Sequence, residues 1–248
     1  MANKSTKQSR REKIDPRICP LGMHNVRTHL EHIPPSKKHS EGLVITRHRH
    51  CAKNPSHKNV LSSSDIRTVT ITNFTNLTGS STPSILSVDF SKADNYDSLT
   101  RGWVGYWNGV FKPKDSLDPN LVKALMATES SFNEKAINKR DKLRKKHAHG
   151  LLQVTGETAE ILKDRKGELN NHLVDINVND LYDPSTNICC GVRWLFRKKE
   201  IESAKSGREA TWEETIIGYK GYWKAIKEGK KPDPLQKLQD YYHNLSRN

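Results

Sequence analysis

Among the Asp-Pro pairs of the chain, Asp118-Pro119 and Asp183-Pro184 each spell a helix start. An aspartate at the cap accepts from backbone N–H groups that have no partner inside the helix. A proline at the first helical position loses nothing, because its missing N–H would have been unpaired. Apolar residues follow each pair at helical spacing: Leu121, Leu125 and Phe132, with Val122 and Met126 beside them, and then Ile188, Val192, Leu195 and Phe196. Thr155, with Thr158 three residues on, opens a further helix, and Trp212, Ile216, Ile217, Tyr219 and Trp223 mark another. From about Leu99 onward the chain therefore reads as mainly α, with no repeats and no strong strand signals.

The preceding part follows a different pattern. Residues 1–18 are polar and basic, carry Arg10, Arg11 and Lys13, and are expected to be a disordered tail. Seven of the eleven histidines fall between Cys19 and Asn59: His24, His29, His32, His39, His48, His50 and His57. Residues 59–96 are rich in Ser, Thr and Asn. Within them residues 68–72 alternate polar and apolar as a half-buried strand does, and residues 79–83 read as a turn. The expected division is a tail over 1–18, a small Cys/His-rich module, partly β or irregular, with a Ser/Thr-rich linker over 19–96, and a helical domain over 97–248. An apolar content of 33% fits a core that occupies only part of the chain.

The formal net charge of +14 points to an anionic partner. Nucleic acid, an anionic membrane surface and a wall polymer bearing carboxylates and phosphates all qualify, and charge alone does not choose among them. Bulk basicity also serves solubility. No run approaches the roughly 18–20 apolar residues that span a bilayer. No apolar stretch follows the basic N-terminus, so no secretory signal and no transmembrane segment are expected, and the chain is expected to be synthesised in the cytoplasm.

Four cysteines are too few for a disulfide framework. The adjacent Cys189 and Cys190 read as small buried apolar residues. Zinc takes thiolate and imidazole ligands in tetrahedral sets, and a small polar segment without a core needs some such staple. Cys19, His29, His50 and Cys51 are the candidate set, with His24 and His48 as alternative ligands. The spacing contains no Cys-x-x-Cys pair. A Cys19–Cys51 disulfide, or a basic histidine-rich arm with neither bridge nor metal, stays open beside zinc.

One carboxylate stands where an apolar residue belongs. Glu129 lies four residues after Leu125 and three before Phe132, so on a helix it continues the stripe that faces the core. Burial favours the protonated carboxyl, which is what a proton donor to a leaving oxygen requires. A helix-end glutamate that reaches solvent, or one held by an arginine, would look the same.

The surroundings of Glu129 add order to this pattern. Ala127-Thr128-Glu129-Ser130-Ser131-Phe132-Asn133 is followed by Gly150-Leu151-Leu152-Gln153-Val154, then Thr158-Ala159. After these come residues 181–188, Leu-Tyr-Asp-Pro-Ser-Thr-Asn-Ile, with Gly191, and finally Gly218-Tyr219-Lys220-Gly221. Over about residues 117–226 this resembles the lytic transglycosylases of the soluble-transglycosylase (SLT) domain type, with their Glu-Ser, Gly-Leu-Met-Gln and Ala-Tyr-Asn motifs. Each motif alone is weak; the four in order carry the resemblance.

The resemblance implies a lysozyme-like helical fold and cleavage of peptidoglycan. Glu129 would protonate the glycosidic oxygen and then act as base. Ser130 and Gln153 would position substrate or acid, Leu151 and Leu152 would line the groove, and Tyr219 would hydrogen-bond near the Glu129 carboxyl. Asn187 reads as a structural helix residue. Two departures stand out. Lys220 replaces the family's Asn and is expected to point outward or to contact substrate, since turned inward it would favour the carboxylate. The basic stretch from Asn138 to His149 is longer than the usual turn, and reads as a solvated loop or as a lip that meets anionic wall groups.

Ordinary glycosidases use two carboxylates, whereas the matched motifs supply one. That fits the family's non-hydrolytic route, in which the sugar's own 6-hydroxyl closes on the anomeric carbon and leaves a 1,6-anhydro end. A hydrolase of goose-type lysozyme character would need a second acid, for which Asp141 and Asp164 are the nearest candidates. A wall-cutting enzyme without a signal would reach the periplasm or wall through a secretion or delivery machine, as an effector does, or by lysis, as a lysin does. No catalytic cofactor is expected. The reading from another class is a catalytically dead protein that binds wall polymer or nucleic acid through the basic module. No helix-turn-helix signature and no interleaved aromatics support nucleic-acid recognition.

Overall fold

Each helix start read from the sequence is made. In the computed structural model, which describes residues 23–26, 28–35, 40–48, 50–53, 60–74, 83, 90–139, 142–169 and 171–247, the Asp118 carboxylate accepts from Asn120 N at 2.8 Å and opens α3 (Pro119–Ser130). Asp183 accepts from Thr186 N at 2.8 Å and opens α5 (Pro184–Ser206). Between them Thr155 caps α4 (Gly156–Lys163) through Thr158 N. Thr211 and Glu214 cap each other's backbone at α6 (Trp212–Lys220). Gly221, with φ +72°, ends α6 in the left-handed conformation that glycine reaches at no steric cost. Trp223 therefore sits on a separate short helix, α7 (Trp223–Lys227), and not on α6 as the spacing implied.

α5 is the axis of the core. Ile188, Cys189, Cys190, Val192 and Leu195 are fully buried, each large aliphatic among them contributing about 1.5–3 kcal/mol. The two cysteines are free and buried, as expected, and burial pushes both thiols up. α2 (Asp97–Phe111) lies against α5, pinned by Trp103 Nε1 donating to Ser185 Oγ at 2.8 Å and Trp107 Nε1 donating to Cys189 O at 3.1 Å. α6 packs on α5 from another side, and α8 (Asp233–Arg247) lies along α3. Short strands that the sequence did not announce join the loops. β6 (Ile137–Asn138), β7 (Ala148–His149) and β8 (Val154–Thr155) form a small antiparallel sheet.

The division at residue 97 is not where the core begins. β5 (Val60–Ser62) pairs in parallel with β9 (Leu173–Asp175), and α1 (Ser63–Val69) follows it directly. Leu61, Ile66, Val69, Phe74, Ala93 and Tyr96 are all buried in the common core. Residues 68–72, expected as a strand, instead run from α1 into a π-helical turn over Thr70–Phe74. Ser62 and Asp65 form a capping box that starts the helix, and the threonines turn their hydroxyls back along it. Thr68 donates to Ser64 O, Thr70 to Ile66 O and Thr72 to Thr68 O, which satisfies within the helix the hydroxyls that made the segment look like a strand.

Ahead of this body stand β1 (Met23–Val26), β2 (His29–Ile33), β3 (Leu43–Arg47) and β4 (His50–Lys53). β1 pairs with β4 and β2 with β3 in one unbroken register, so the four strands are a single antiparallel hairpin. Part of the expected N-terminal module is thus β. The tail over 1–18, the turn at residues 79–82 and Cys19 lie outside the described residues.

Candidate active site

Glu129 is the next-to-last residue of α3, and the chain stops the helix abruptly beyond it. Ser131 and Phe132 both take positive φ, at 51° and 59°. Two successive non-glycine residues in that region cost energy and need packing to hold them. Phe132 supplies it: its buried ring meets Phe90 at 5.2 Å and stacks on Tyr96 at 6.4 Å. The stop leaves the Glu129 side chain 18% exposed, at the surface of the core and not inside it.

Opposite the helix end lies the loop from Gly150 to Gln153, and α3, α5 and α6 fasten it. Gly150 has φ +71°, and a Cβ there would stand 2.3 Å from Asn187 Nδ2 and 2.5 Å from Leu181 O, so only glycine fits. Asn187, buried on α5, accepts from Leu152 N at 2.8 Å. It donates to His149 O at 2.9 Å and to Leu181 O at 2.8 Å. Its role is structural, as read. Ser130 donates to Leu151 O at 2.8 Å, and Tyr219 on α6 donates to Leu152 O at 2.6 Å. Gln153 turns back to Gly150 O at 2.9 Å. Gly191 lets Leu152 press against α5, since a Cβ there would meet Leu152 Cδ1 at 2.4 Å.

These contacts change what several predicted residues offer. Leu151 and Leu152 were expected to line the groove, yet both side chains are fully buried in the core. What they present toward α3 and α6 is their carbonyls. Tyr219 reaches the Leu152 carbonyl and not the Glu129 carboxyl. Burial first, and then the nearby Glu129 carboxylate, push its phenol well above the ordinary range. Ser130 and Gln153 likewise hold backbone, so both act on the shape of the loop.

Lys220 departs furthest from expectation. It was expected to point outward or to contact substrate; its Nζ lies 2.5 Å from Glu129 Oε1 and 3.2 Å from Thr128 Oγ1, with the side chain only 4% exposed. The ammonium also sits 5.9 Å above the Tyr222 ring. The inward turn has a physical reason. Glu129 stands at the C-terminal end of α3, the wrong end for an anion, and Lys220 is the last residue of α6, whose end favours a cation. Thr128 and Tyr222 were given no role from the sequence, although Thr128 stands in the quoted motif beside Glu129 and Tyr222 follows the one that holds Lys220.

Other candidates fall elsewhere. Asp164 is exposed at the end of α4 and accepts from Lys166 N at 2.9 Å, holding a turn. Asp141 lies outside the described residues. Among the described residues no cluster of His, Cys, Asp or Glu is arranged to hold a metal. The zinc reading itself falls largely outside them, since Cys19 and the side chains of His29 and Cys51 are not described; the described His50 is exposed and meets His48 O through Nδ1 at 2.8 Å. A cavity of about 920 Å³ opens at the other end of α3, lined by Asp118, Leu121, Trp212, Glu213 and Tyr242 among others. Eight residues of helix, about 12 Å, separate its Leu121 from Glu129, so the motif residues do not line it. Among the described residues no helix is long and apolar enough to cross a membrane.

A partly buried glutamate at a helix end thus faces a glycine-hinged loop and a tyrosine-bearing helix. The family model for the transglycosylase SLT domain matches residues 110–231, a span that holds Glu129, the 150–153 loop, Asn187 and Lys220. That match is consistent with the SLT lytic transglycosylase family, and such a domain implies lytic transglycosylase activity on peptidoglycan in general. No curated protein and no solved structure matches the chain.

Proposed function

We propose that the chain is a peptidoglycan lytic transglycosylase that cleaves the β-1,4 bond between MurNAc and GlcNAc without water and leaves 1,6-anhydroMurNAc ends. It acts in the periplasm or cell wall, reached by delivery or lysis. The observation that carries the reading is the placement of Glu129, a single carboxylate at the end of α3, between the loop of residues 150–153 and α6. In the reaction the Glu129 carboxyl gives its proton to the glycosidic oxygen as the bond to the anomeric carbon breaks, and the bonding pair leaves on that oxygen. The 6-hydroxyl oxygen of the same MurNAc then bonds to the anomeric carbon and gives its proton to Glu129. The catalyst is restored and no water is consumed.

Incubating wild type and Glu129→Gln with purified peptidoglycan, followed by mass spectrometry of the soluble fragments, tests the reading. Wild type is expected to release 1,6-anhydro muropeptides. Glu129→Gln is expected to lose at least about a hundredfold in rate, the low end of what general acid–base catalysis contributes. Water-added reducing ends from wild type would assign a hydrolase instead.

A further inference from the structure

Lys220 stands where the resemblance implies Asn, and the structure gives this lysine a partner. Lys220 Nζ is 2.5 Å from Glu129 Oε1, is tied to Thr128 Oγ1 at 3.2 Å, and lies over Tyr222 at 5.9 Å. Both ends of the pair are shielded, with 4% of the lysine side chain and 18% of the glutamate side chain exposed. An exposed pair would be a weak, salt-screened contact. An enclosed one is less screened and harder to open. From α6, Tyr219 is the other titratable group near the carboxyl, and its hydroxyl is committed to Leu152 O at 2.6 Å. From the loop of residues 150–153 come carbonyls and Gln153, and from α3 itself come Thr128 and Ser130, none of them charged. Among the described residues, Lys220 is thus the charge that faces Glu129.

A proton donor must hold its proton when substrate arrives, and an ammonium in contact with a carboxylate opposes that. From this geometry we infer that Lys220 is a positioning residue that holds Glu129 as an ion-paired carboxylate in the free protein and confines fast cleavage to acidic conditions. The inference rests on Glu129 being the acid of the proposed reaction. The pair fixes the glutamate in one orientation beside the loop, and at neutral pH it must open or take up a proton before the glycosidic oxygen can be protonated. An asparagine at 220, the family's residue, would keep a hydrogen-bond donor near Glu129 and remove the charge.

The test compares wild type, Lys220→Asn, Lys220→Met, Lys220→Arg and Glu129→Gln on purified peptidoglycan from acidic to mildly alkaline pH. Thermal melting establishes that each is folded. An ammonium in contact with a carboxylate must be displaced or neutralised before the carboxyl can deliver a proton. At neutral pH, Lys220→Asn and Lys220→Met are therefore expected to release fragments about tenfold faster than wild type. The gain should shrink toward none as the pH falls, should appear in kcat and not KM, and should be absent from Lys220→Arg, which keeps the charge. A role in holding the fold alone would move none of these. Folded Lys220→Asn and Lys220→Met proteins that lose cleavage at every pH would overturn the inference and make Lys220 a direct sugar contact. So would profiles that superimpose on wild type throughout. If Glu129→Gln cleaves as fast as wild type, the acid assignment fails first, whatever the lysine variants do. If no protein in the set cleaves at any pH, both ideas fall, because removing the charge should have uncovered activity.

Discussion

The hairpin of residues 23–53 and the helical body from residue 60 onward each carry an Arg–Glu pair, yet they hold themselves together by different means. In the hairpin, Arg47 reaches Glu31 across the ribbon, and both side chains are about half exposed. Leu30 and Val44 stand on one face of the same strands, 65% and 52% exposed. Their neighbours on that face, His32 and Thr46, are exposed as well. In the body, the polar contacts that matter run between elements distant in sequence and end on buried backbone groups. Asn187 ties α5 to the loop of residues 149–152, and Trp103 and Trp107 tie α2 to α5. A ladder of local backbone pairs sustains a ribbon but gives it little cooperative stability. A buried polar knot is costly to break, because each group it served is left without water or partner.

The largest effect should therefore come from the knot. Asn187→Ala strands Leu152 N, His149 O and Leu181 O, each buried and each costing about 1–3 kcal/mol when unpaired. A total of about 3 kcal/mol or more should lower Tm by roughly 6–12 °C, at about 2–4 °C per kcal/mol for a chain of this size. Because the same loop positions Ser130 and Tyr219, peptidoglycan cleavage should fall with it, even below the melting transition. A melting curve within about 2 °C of wild type would show that the loop is held by its other ties, and the contrast between the two regions would lose its main support.

What the sequence disclosed follows the same contrast between local and distant causes. Helix starts are local. The caps at Asp118, Thr155 and Asp183 involve residues within three positions, and all were legible. So was the order of motifs around Glu129, because motif order is a property of the chain itself. The parallel pairing of β5 with β9 joins residues 60–62 to residues 173–175, and no local pattern announces such a partner. The threonines of residues 68–72 misled because threonine suits a strand by its shape and a helix by bonding back to the preceding turn. The direction of Lys220 was hidden for a similar reason. Its partner is 91 residues away, and only the packing of α6 beside the end of α3 brings them together. The burial of Leu151 and Leu152 follows from the fit of their loop against Gly191, which is again a contact made in space.

Two Arg–Glu pairs, one taken from each region, sharpen the comparison at smaller scale. Arg208 holds Glu214 in two contacts, and Glu214 also accepts from Thr211 N at 2.8 Å as part of the α6 capping box. The Arg208 contact first, and the backbone contact second, bring the Glu214 carboxyl down to about 2. A lowered carboxyl contributes stability that is present above its unfolded range and is lost as pH falls through its folded value. At neutral pH, Glu214→Gln should lower Tm by up to about 4 °C, the scale of an exposed bidentate ion pair, since glutamine can still accept from Thr211 N. The gap to wild type should close as the pH falls toward 2. Glu31→Gln, which removes a cross-strand pair with no cap attached, should move Tm less. Equal shifts from the two variants would mean that the hairpin pair does more than join two strands.

The smallest effect belongs to the open face of the hairpin. Leu30 and Val44 lie on neighbouring strands of that face, and each keeps more than half of its surface in contact with solvent. Replacing either by serine removes apolar area of which folding left more than half in water, so the transfer term that dominates core substitutions is much smaller here. Leu30→Ser and Val44→Ser should each change stability by no more than about 0.5 kcal/mol, as surface substitutions do. In the body, Leu125→Ser would remove a fully buried side chain and leave a hydroxyl inside the core. The paired measurement is thermal melting of Leu30→Ser and Leu125→Ser under one condition. A loss from Leu30→Ser approaching that from Leu125→Ser would mean that the exposed face is covered in solution, and the hairpin would then belong with the body as a packed element.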